Sequence, residues 1–391
     1  MKFKFLFLCG ILSLNSIIAQ TVPSKPLNDV RTFEVTACKP SKNRIVAAWL
    51  EKRPNRKDND ESATNTRVAY KFSNDNGDNW TEKGIVDLPE TFGTGNPYLT
   101  SNPKGDTFLA VMHIGKRFYE GNISIYEFNF EKKQFELKSI PIKSDNALLD
   151  KPAIAAFGDE IHLVYTEYPE GKNNSLKYQM SRDKGKTWTE PFTIILGKKV
   201  AHLSASITLL KDNQVAVSCG TYGGNKMYFI KKKPGTDANA FEAPIIVSKG
   251  IDNVGPGMSE LSGYKNNVAM NAQNPHQPDQ LWLSLSNDGG SKWLEPIKIT
   301  EKGNLLSTQF DAKGNLHFLY TDYSNDTFSV FYKLFDKNNK IIDQKTIRES
   351  APFKQEEYIG AFQKLLIQKS EYYCFWIDYV NNSELRFSKW K

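Results

Sequence analysis

The chain has 391 residues, a formal charge of +7, four cysteines, and hydrophobic and aromatic contents of 39% and 12%. Lysines and acids are scattered, Lys231-Lys232-Lys233 being the densest basic run, so no patch suits a nucleic-acid platform and no nucleic-acid partner is expected. No phosphate-cradling loop or nucleophile elbow occurs, and Asp58-Asn59-Asp60-Glu61 lacks the spacing of a calcium hand; nucleotide chemistry, serine-hydrolase chemistry, a metal and a cofactor are therefore not expected.

Lys2 and Lys4 precede an apolar run from Phe5 to Ile18, broken by Asn15 and Ser16 and followed by Ala19-Gln20. This layout predicts a cleaved signal peptide at 1–19 and a secreted or periplasmic, soluble, monomeric chain from 20 to 391 with no membrane insertion. Cys9 lies inside the apolar run. Cys38, Cys219 and Cys374 then form an odd, widely spaced set without metal spacing. Three buried thiols are expected, a single Cys38–Cys374 bridge being the alternative.

From there the chain repeats one unit: an apolar strand, a turn, a second apolar strand, a polar loop, a third strand, a tight turn and a fourth strand. The clearest copy runs over 151–195, and similar openings of the unit fall at 34–51, 96–113, 203–220, 258–273, 306–322 and 359–378. Their spacing of about 50 to 60 residues suits four-stranded propeller blades. The prediction is an all-β propeller in one domain, seven blades favoured over six. The last unit ends after its third strand, so the ring should close on a strand recruited from about 22–32.

Three units share the pattern S-x-D-x-G-x-x-W, at 73–80, 181–188 and 286–293. Asp75, Asp183 and Asp288 can accept backbone N–H bonds, Gly77, Gly185 and Gly290 supply positive φ, and Trp80, Trp188 and Trp293 are placed to pack inward. The pattern resembles the Asp box, or BNR repeat, of the sialidase-like β-propellers. In that family the box is a folding device on the face opposite the ligand site.

Antiparallel strands put the first-to-second and third-to-fourth turns on the box face, and the second-to-third loops and blade connections on the other. The second face is where a site is sought. Second strands end in an acid at Glu51, Glu167, Asp322 and Asp378, a recurrence that reads as scaffold, whereas His113 stands at that position in the second unit. His162 and His317 share an equivalent strand position and read as structural. His202 and His276 fall in loops of the candidate face.

In sialidases an Asp of the first blade's long loop is the general acid, a Tyr assisted by a Glu is the nucleophile, and three arginines clamp the substrate carboxylate. The resemblance puts Arg53 before that loop, Asp58 or Asp60 in the acid's place, and Tyr358 beside Glu356 and Glu357. The clamp is where this chain departs: nine arginines are present, none between Arg182 and Arg348, and lysine does not reproduce the guanidinium fork. The leading expectation is a glycoside hydrolase of non-sialic specificity acting on an extracellular oligo- or polysaccharide, with Asp58, Asp60 or Glu260 as acid and base. The alternatives are a glycan-binding module, a lyase and an exo-sialidase. In the lyase, His113 or Tyr222 abstracts a proton beside a uronate that Arg117 or Arg182 neutralises. Substrate contacts are expected from Arg53, Arg117, Tyr119, Tyr168, His202 and His276, and a binding module would stack sugars on Phe118, Tyr119, Tyr168, Tyr222, Tyr323, Phe328, Tyr358 and Tyr379.

Overall fold

The computed structural model describes residues 20–28, 30–53, 66–86, 93–197, 203–221, 226–234, 240–247, 259–272, 280–353 and 363–391. Their strands form seven sheets arranged as the blades of a propeller. Blade 1 comprises Thr32–Cys38, Ile45–Lys52, Thr66–Ser73 and Gly84–Val86, and blade 2 comprises Gly93–Ser101, Thr107–Ile114, Gly121–Asn129 and Gln134–Ser144. Blade 3 comprises Ala147–Phe157, Glu160–Pro169, Ser175–Ser181 and Phe192–Leu196, and blade 4 Leu203–Leu209, Val215–Thr221, Met227–Lys231 and Ile245–Ile246. Blade 5 comprises Ser259–Tyr264, Asn267–Ala272, Leu281–Ser286 and Ile297–Thr300; blade 6 comprises Gly303–Phe310, Leu316–Asp322, Thr327–Phe335 and Ile341–Pro352. Blade 7 takes only Lys364–Gln368, Glu371–Asp378 and Glu384–Trp390 from the end of the chain.

Closure follows the sequence expectation and adds to it. Ser24–Asn28 pairs antiparallel with the third strand of blade 7, Ser24 opposite Ser388, and supplies its missing outer strand. Just before it, Gln20–Thr21 pairs parallel with the outer strand of blade 6, Gln20 opposite Lys345. One short segment therefore fastens two blades, with Val22 buried between blades 6 and 7 and Leu27 between blades 7 and 1.

Among the described residues there is no single central core. Buried side chains form seven clusters, each lying between two neighbouring blades. Both faces of a blade are covered, which is why the second strands read as unbroken apolar runs. In Ile45–Lys52, the side chains of Ile45, Ala47 and Trp49 pack toward blade 7, and those of Val46, Ala48 and Leu50 toward blade 2.

The three boxes share one hydrogen-bond plan. Ser73 Oγ donates to Asp75 Oδ1 at 2.7 Å and accepts from the Gly77 N–H at 2.7 Å, while Asp75 Oδ1 takes the Asn79 N–H at 2.9 Å. The same bonds recur around Ser181 and Asp183, and around Ser286 and Asp288. Gly77, Gly185 and Gly290 have φ of +79°, +79° and +83°, a region that favours glycine. The tryptophans pack across to the preceding blade. Trp80 lies edge-on to Phe375 and Phe387 of blade 7, Trp293 edge-on to Phe229 of blade 4, and Trp188 Nε1 donates to Ser139 Oγ of blade 2. Each box is thus a fastener between blades. Cys38, Cys219 and Cys374 are buried free thiols, as expected, and burial pushes the first two up to about 12.

Candidate functional site

Each innermost strand has one edge toward the propeller axis and no ladder partner there, so its N–H groups need other acceptors. The preceding blade supplies them. Leu99, Leu261 and Leu365 N–H donate to Thr36 Oγ1, Ser206 Oγ and Ser307 Oγ at 3.0, 3.2 and 3.1 Å. At two junctions the acceptor is a carboxylate: Asn96 N–H on Glu34 Oε2 at 3.0 Å, and Thr308 N–H on Glu260 Oε2 at 3.2 Å.

These carboxylates belong to a charged group along the channel. Thr36, Tyr98, Ser206, Glu260, Ser307 and Lys364 occupy one register level, facing Ala48, Ala110, Ser218, Asn271, Leu319 and Phe375 of their second strands. Lys364 of blade 7 spans the axis at that level. Its Nζ lies 3.8 Å from Glu260 Oε1 on blade 5 and 6.0 Å from the Tyr98 ring centroid on blade 2. Ser307 Oγ also donates to Glu260 Oε1 at 3.2 Å. Burial pushes the Glu260 carboxyl up to about 7 against the opposing pull of Lys364, Ser307 and the Thr308 N–H. Its side chain is nevertheless 21% exposed.

Glu34, two residues closer to the loop face than Thr36, is also pushed up to about 7 by burial, with Lys151 opposing and Asp150 reinforcing the shift. Lys151 Nζ donates to Asn96 Oδ1 at 3.4 Å. Glu34, Asn96, Asp150 and Lys151 therefore gather where blades 1, 2 and 3 meet the channel.

The second-strand acids are scaffold, as their recurrence implies. Glu51 is fully buried and accepts from Asn28, Trp49, Arg67 and Lys83, the Arg67 bonds being 2.7 and 2.9 Å. Asp322 accepts from Thr300 Oγ1 and the Ser324 N–H, and Asp378 from Arg348 Nε at 3.0 Å. His113 follows the same structural logic. It is 1% exposed, its Nε2 lies 3.2 Å from Tyr126 OH, and burial pulls it down to about 4. His162 with Tyr178 and His317 with Tyr332 are matching pairs at 2.7 Å. The signal was in the sequence, since each histidine is followed by a tyrosine on the next strand of its own blade. A base in that setting is shut off from a polymeric substrate, so the lyase reading gains nothing from it.

Asp58, Asp60, His202, Tyr222, His276 and Tyr358 lie outside the described residues. Arg53 Nε donates to Thr66 O at 3.1 Å, bridging the points where the chain leaves and re-enters blade 1. Arg117, Tyr119 and Tyr168 come from neighbouring blades on the loop face. Arg117 Nη2 donates to Asp145 O at 3.1 Å in the blade 2–3 connection, and Tyr168 pairs with Leu148 just beyond it. Phe118, 64% exposed, stands edge-on to Tyr119. Two of the expected sugar-stacking rings are corrected: Tyr323 and Phe328 are buried between blades 6 and 7. The described arginines do not converge. Arg67, Arg348 and Arg386 are tied to Glu51, Asp378 and Glu384, and Arg182 sits in a box on the opposite face. Glu34, Tyr98 and Lys364 are the site residues that sequence reasoning missed, because their common level depends on the register of strands in different blades.

No protein-family model matches the sequence, and no curated protein matches it. Among solved structures, the chain is similar to a GH93 α-L-arabinofuranosidase of Fusarium graminearum in complex with arabinobiose, with 12% identity and a TM-score of 0.54 over 95% of this chain and 97% of that one. An α-L-arabinanase of Penicillium chrysogenum complexed with arabinobiose is similar at 13% identity and a TM-score of 0.53, over 96% and 98% of the two chains. A protein of unknown function from Dyadobacter fermentans gives 12% and 0.54, over 95% and 97%. At these identities the likeness is one of fold, and it extends over nearly the whole chain.

Proposed function

We propose that the protein is an exported glycoside hydrolase acting on a non-sialylated glycan, with Glu260 as proton donor. The observation that carries this reading is the state of Glu260: a carboxyl in the channel, partly open to solvent, pushed up to about 7. A glycosidase needs one carboxylic acid that keeps its proton near neutral pH so that it can protonate the leaving oxygen. After donation, Lys364, Ser307 Oγ and the Thr308 N–H are in place to hold the carboxylate. The second carboxylate is assigned to Asp58 or Asp60, in the segment that leaves blade 1 at Arg53 and returns at Thr66 on the loop face. A separation of about 5 Å would retain configuration and one of about 6.5–9.5 Å would invert it.

The missing carboxylate clamp supports a neutral substrate. So do the fold neighbours, which are named as an α-L-arabinofuranosidase and an α-L-arabinanase. A second reading, a glycan-binding module, is favoured by the exposed Phe118 on Tyr119, next to Arg117 in the chain. A depolymerisation screen separates them, reading reducing ends and 235 nm absorbance on arabinans, other plant and algal polysaccharides and sialyl conjugates. Reducing ends without absorbance, lost at least 100-fold in Glu260→Gln, are the expected result. Binding without any reducing ends would replace the enzyme with the module, and absorbance would replace it with the lyase.

A further inference from the structure

On the box face, the first-to-second turns surround a funnel of about 630 Å3. That volume lies within the range of small-molecule sites, about 300–1000 Å3. The wall is drawn from blades 1 to 5 and 7, and among the described residues it contains two lysines, Lys39 and Lys265, and no carboxylate. Its polar groups include Ser41, Asn213 and Gln368. Phe157 ends the innermost strand of blade 3 and is 41% exposed. Tyr264 ends that of blade 5, and its hydroxyl donates to Ala312 O at 2.9 Å, which fixes the ring. Lys265 Nζ stands 5.1 Å from the Tyr264 ring centroid. Lys39 Nζ donates to Lys42 O at 2.8 Å and to Asn76 Oδ1 at 2.5 Å, so its ammonium is held in position.

We infer that this funnel is a second binding site, for an anionic oligosaccharide, with Phe157 and Tyr264 against the sugar rings and Lys39 and Lys265 on the carboxylate or sulfate groups. The chemistry of the wall selects that class. Aromatic faces beside hydroxyl and amide groups suit sugars, and two ammonium groups with no acid in the wall favour an anion over a neutral chain. Burial draws Lys39 down to about 8, with Glu371 opposing from behind the wall, so a bound anion would also relieve the burial of that charge. Lys364 and Glu260 stand across the channel between the funnel and the loop face, so the two sites take their ligands independently.

Calorimetric titration of the full-length exported protein tests the inference. The probes are a galacturonate tetrasaccharide, a sulfated galactan tetrasaccharide, neutral arabinotetraose and sodium sulfate. Saturable binding of either anionic oligosaccharide is expected, weakened at least 10-fold in Lys265→Gln/Phe157→Ala, whose side chains are exposed, and unchanged in Glu260→Gln. Lys39→Gln should weaken it likewise, provided its unfolding temperature matches the parent. Whichever anionic probe binds identifies the charged group. Absence of anionic binding, arabinotetraose binding as tightly and weakened equally by the double variant, sodium sulfate binding as tightly as the oligosaccharides, or unchanged affinity for the anionic probes in the double variant would each overturn the site. Because hydrolysis depends on Glu260 and funnel binding does not, failure of one reading leaves the other standing.

Discussion

The box glycines offer a controlled comparison within one turn. Gly289 and Gly290 both have positive φ, +75° and +83°, so alanine at either incurs a backbone cost of about 1–2 kcal/mol. They differ in what a Cβ would meet. At Gly289 nothing lies within 4 Å, whereas at Gly290 the new carbon would overlap the edge of the Phe229 ring of blade 4. That ring is fully buried and edge-on to Trp293 at 5.2 Å, so it has little room to retreat. Overpacking of this kind adds about 1–3 kcal/mol. Gly290→Ala should therefore lose roughly 2–5 kcal/mol and Gly289→Ala only about 1–2 kcal/mol. With an unfolding entropy of about 2.1 cal/mol/K per residue, a chain this long shifts by roughly 1 °C per kcal/mol, so urea unfolding is the sharper assay. Phe229→Leu in the Gly290→Ala background should recover part of the loss, a coupling of about 1 kcal/mol or more. Equal losses at the two glycines, or no coupling to Phe229, would refute the box as a fastener between blades.

The remaining predictions concern closure, scaffold charge and pH. Leu27→Ala removes a side chain 3% exposed between blades 7 and 1, and should cost about 2–4 kcal/mol in urea unfolding. Glu51→Ala leaves Arg67 and Lys83 without their buried partner, and a loss of about 3–5 kcal/mol is expected by the same assay. Glu34 and Glu260 are raised to about 7 from 4.5, so the folded state holds more protons between those values; their contribution to stability is full below about 4.5 and declines as pH rises through 7. The pH profile of stability in Glu260→Gln should be flatter across that window, and the hydrolysis proposed for the parent should weaken above about pH 7 as the proposed donor loses its proton. Asp75, held near 2 by the Asn79 N–H, works oppositely and favours folding until the pH falls below about 4. A thiol reagent should leave Cys38, Cys219 and Cys374 unmodified in the native protein and react with them only in denaturant.

Much of the architecture could be read before any coordinates. Strand periodicity, seven unit openings and three boxes pointed to a propeller with its fourth outer strand taken from the N-terminal segment, because both signals are local: turn chemistry, and alternation over a few residues. The scaffold role of Glu51, Asp322 and Asp378 was legible for the same reason, since a residue repeated in four of the seven blades serves the blade. His113 misled because it broke that recurrence, yet its burial against Tyr126 depends on a diagonal contact between two strands. Tyr323 and Phe328 misled in a similar way. They lie near the loop face in sequence, but the blade 6–7 interface covers them.

By itself, then, the sequence determined the all-β propeller class, the position of the boxes and the lack of any arginine between Arg182 and Arg348, and it favoured seven blades over six and free thiols over a Cys38–Cys374 bridge. Each of these rests on spacing, turn residues or composition within single units. Tertiary structure alone decided that the box tryptophans grip the preceding blade, that Gln20–Thr21 also fastens the N-terminal segment to blade 6, and that Glu260, Lys364 and Tyr98 meet on the axis. It also decided that the box face opens into a lysine-bearing funnel. The physical reason is closure: a ring brings residues from distant blades to one level of one channel, and neither that level nor the burial that shifts their protonation can be seen until the innermost strands are set in register.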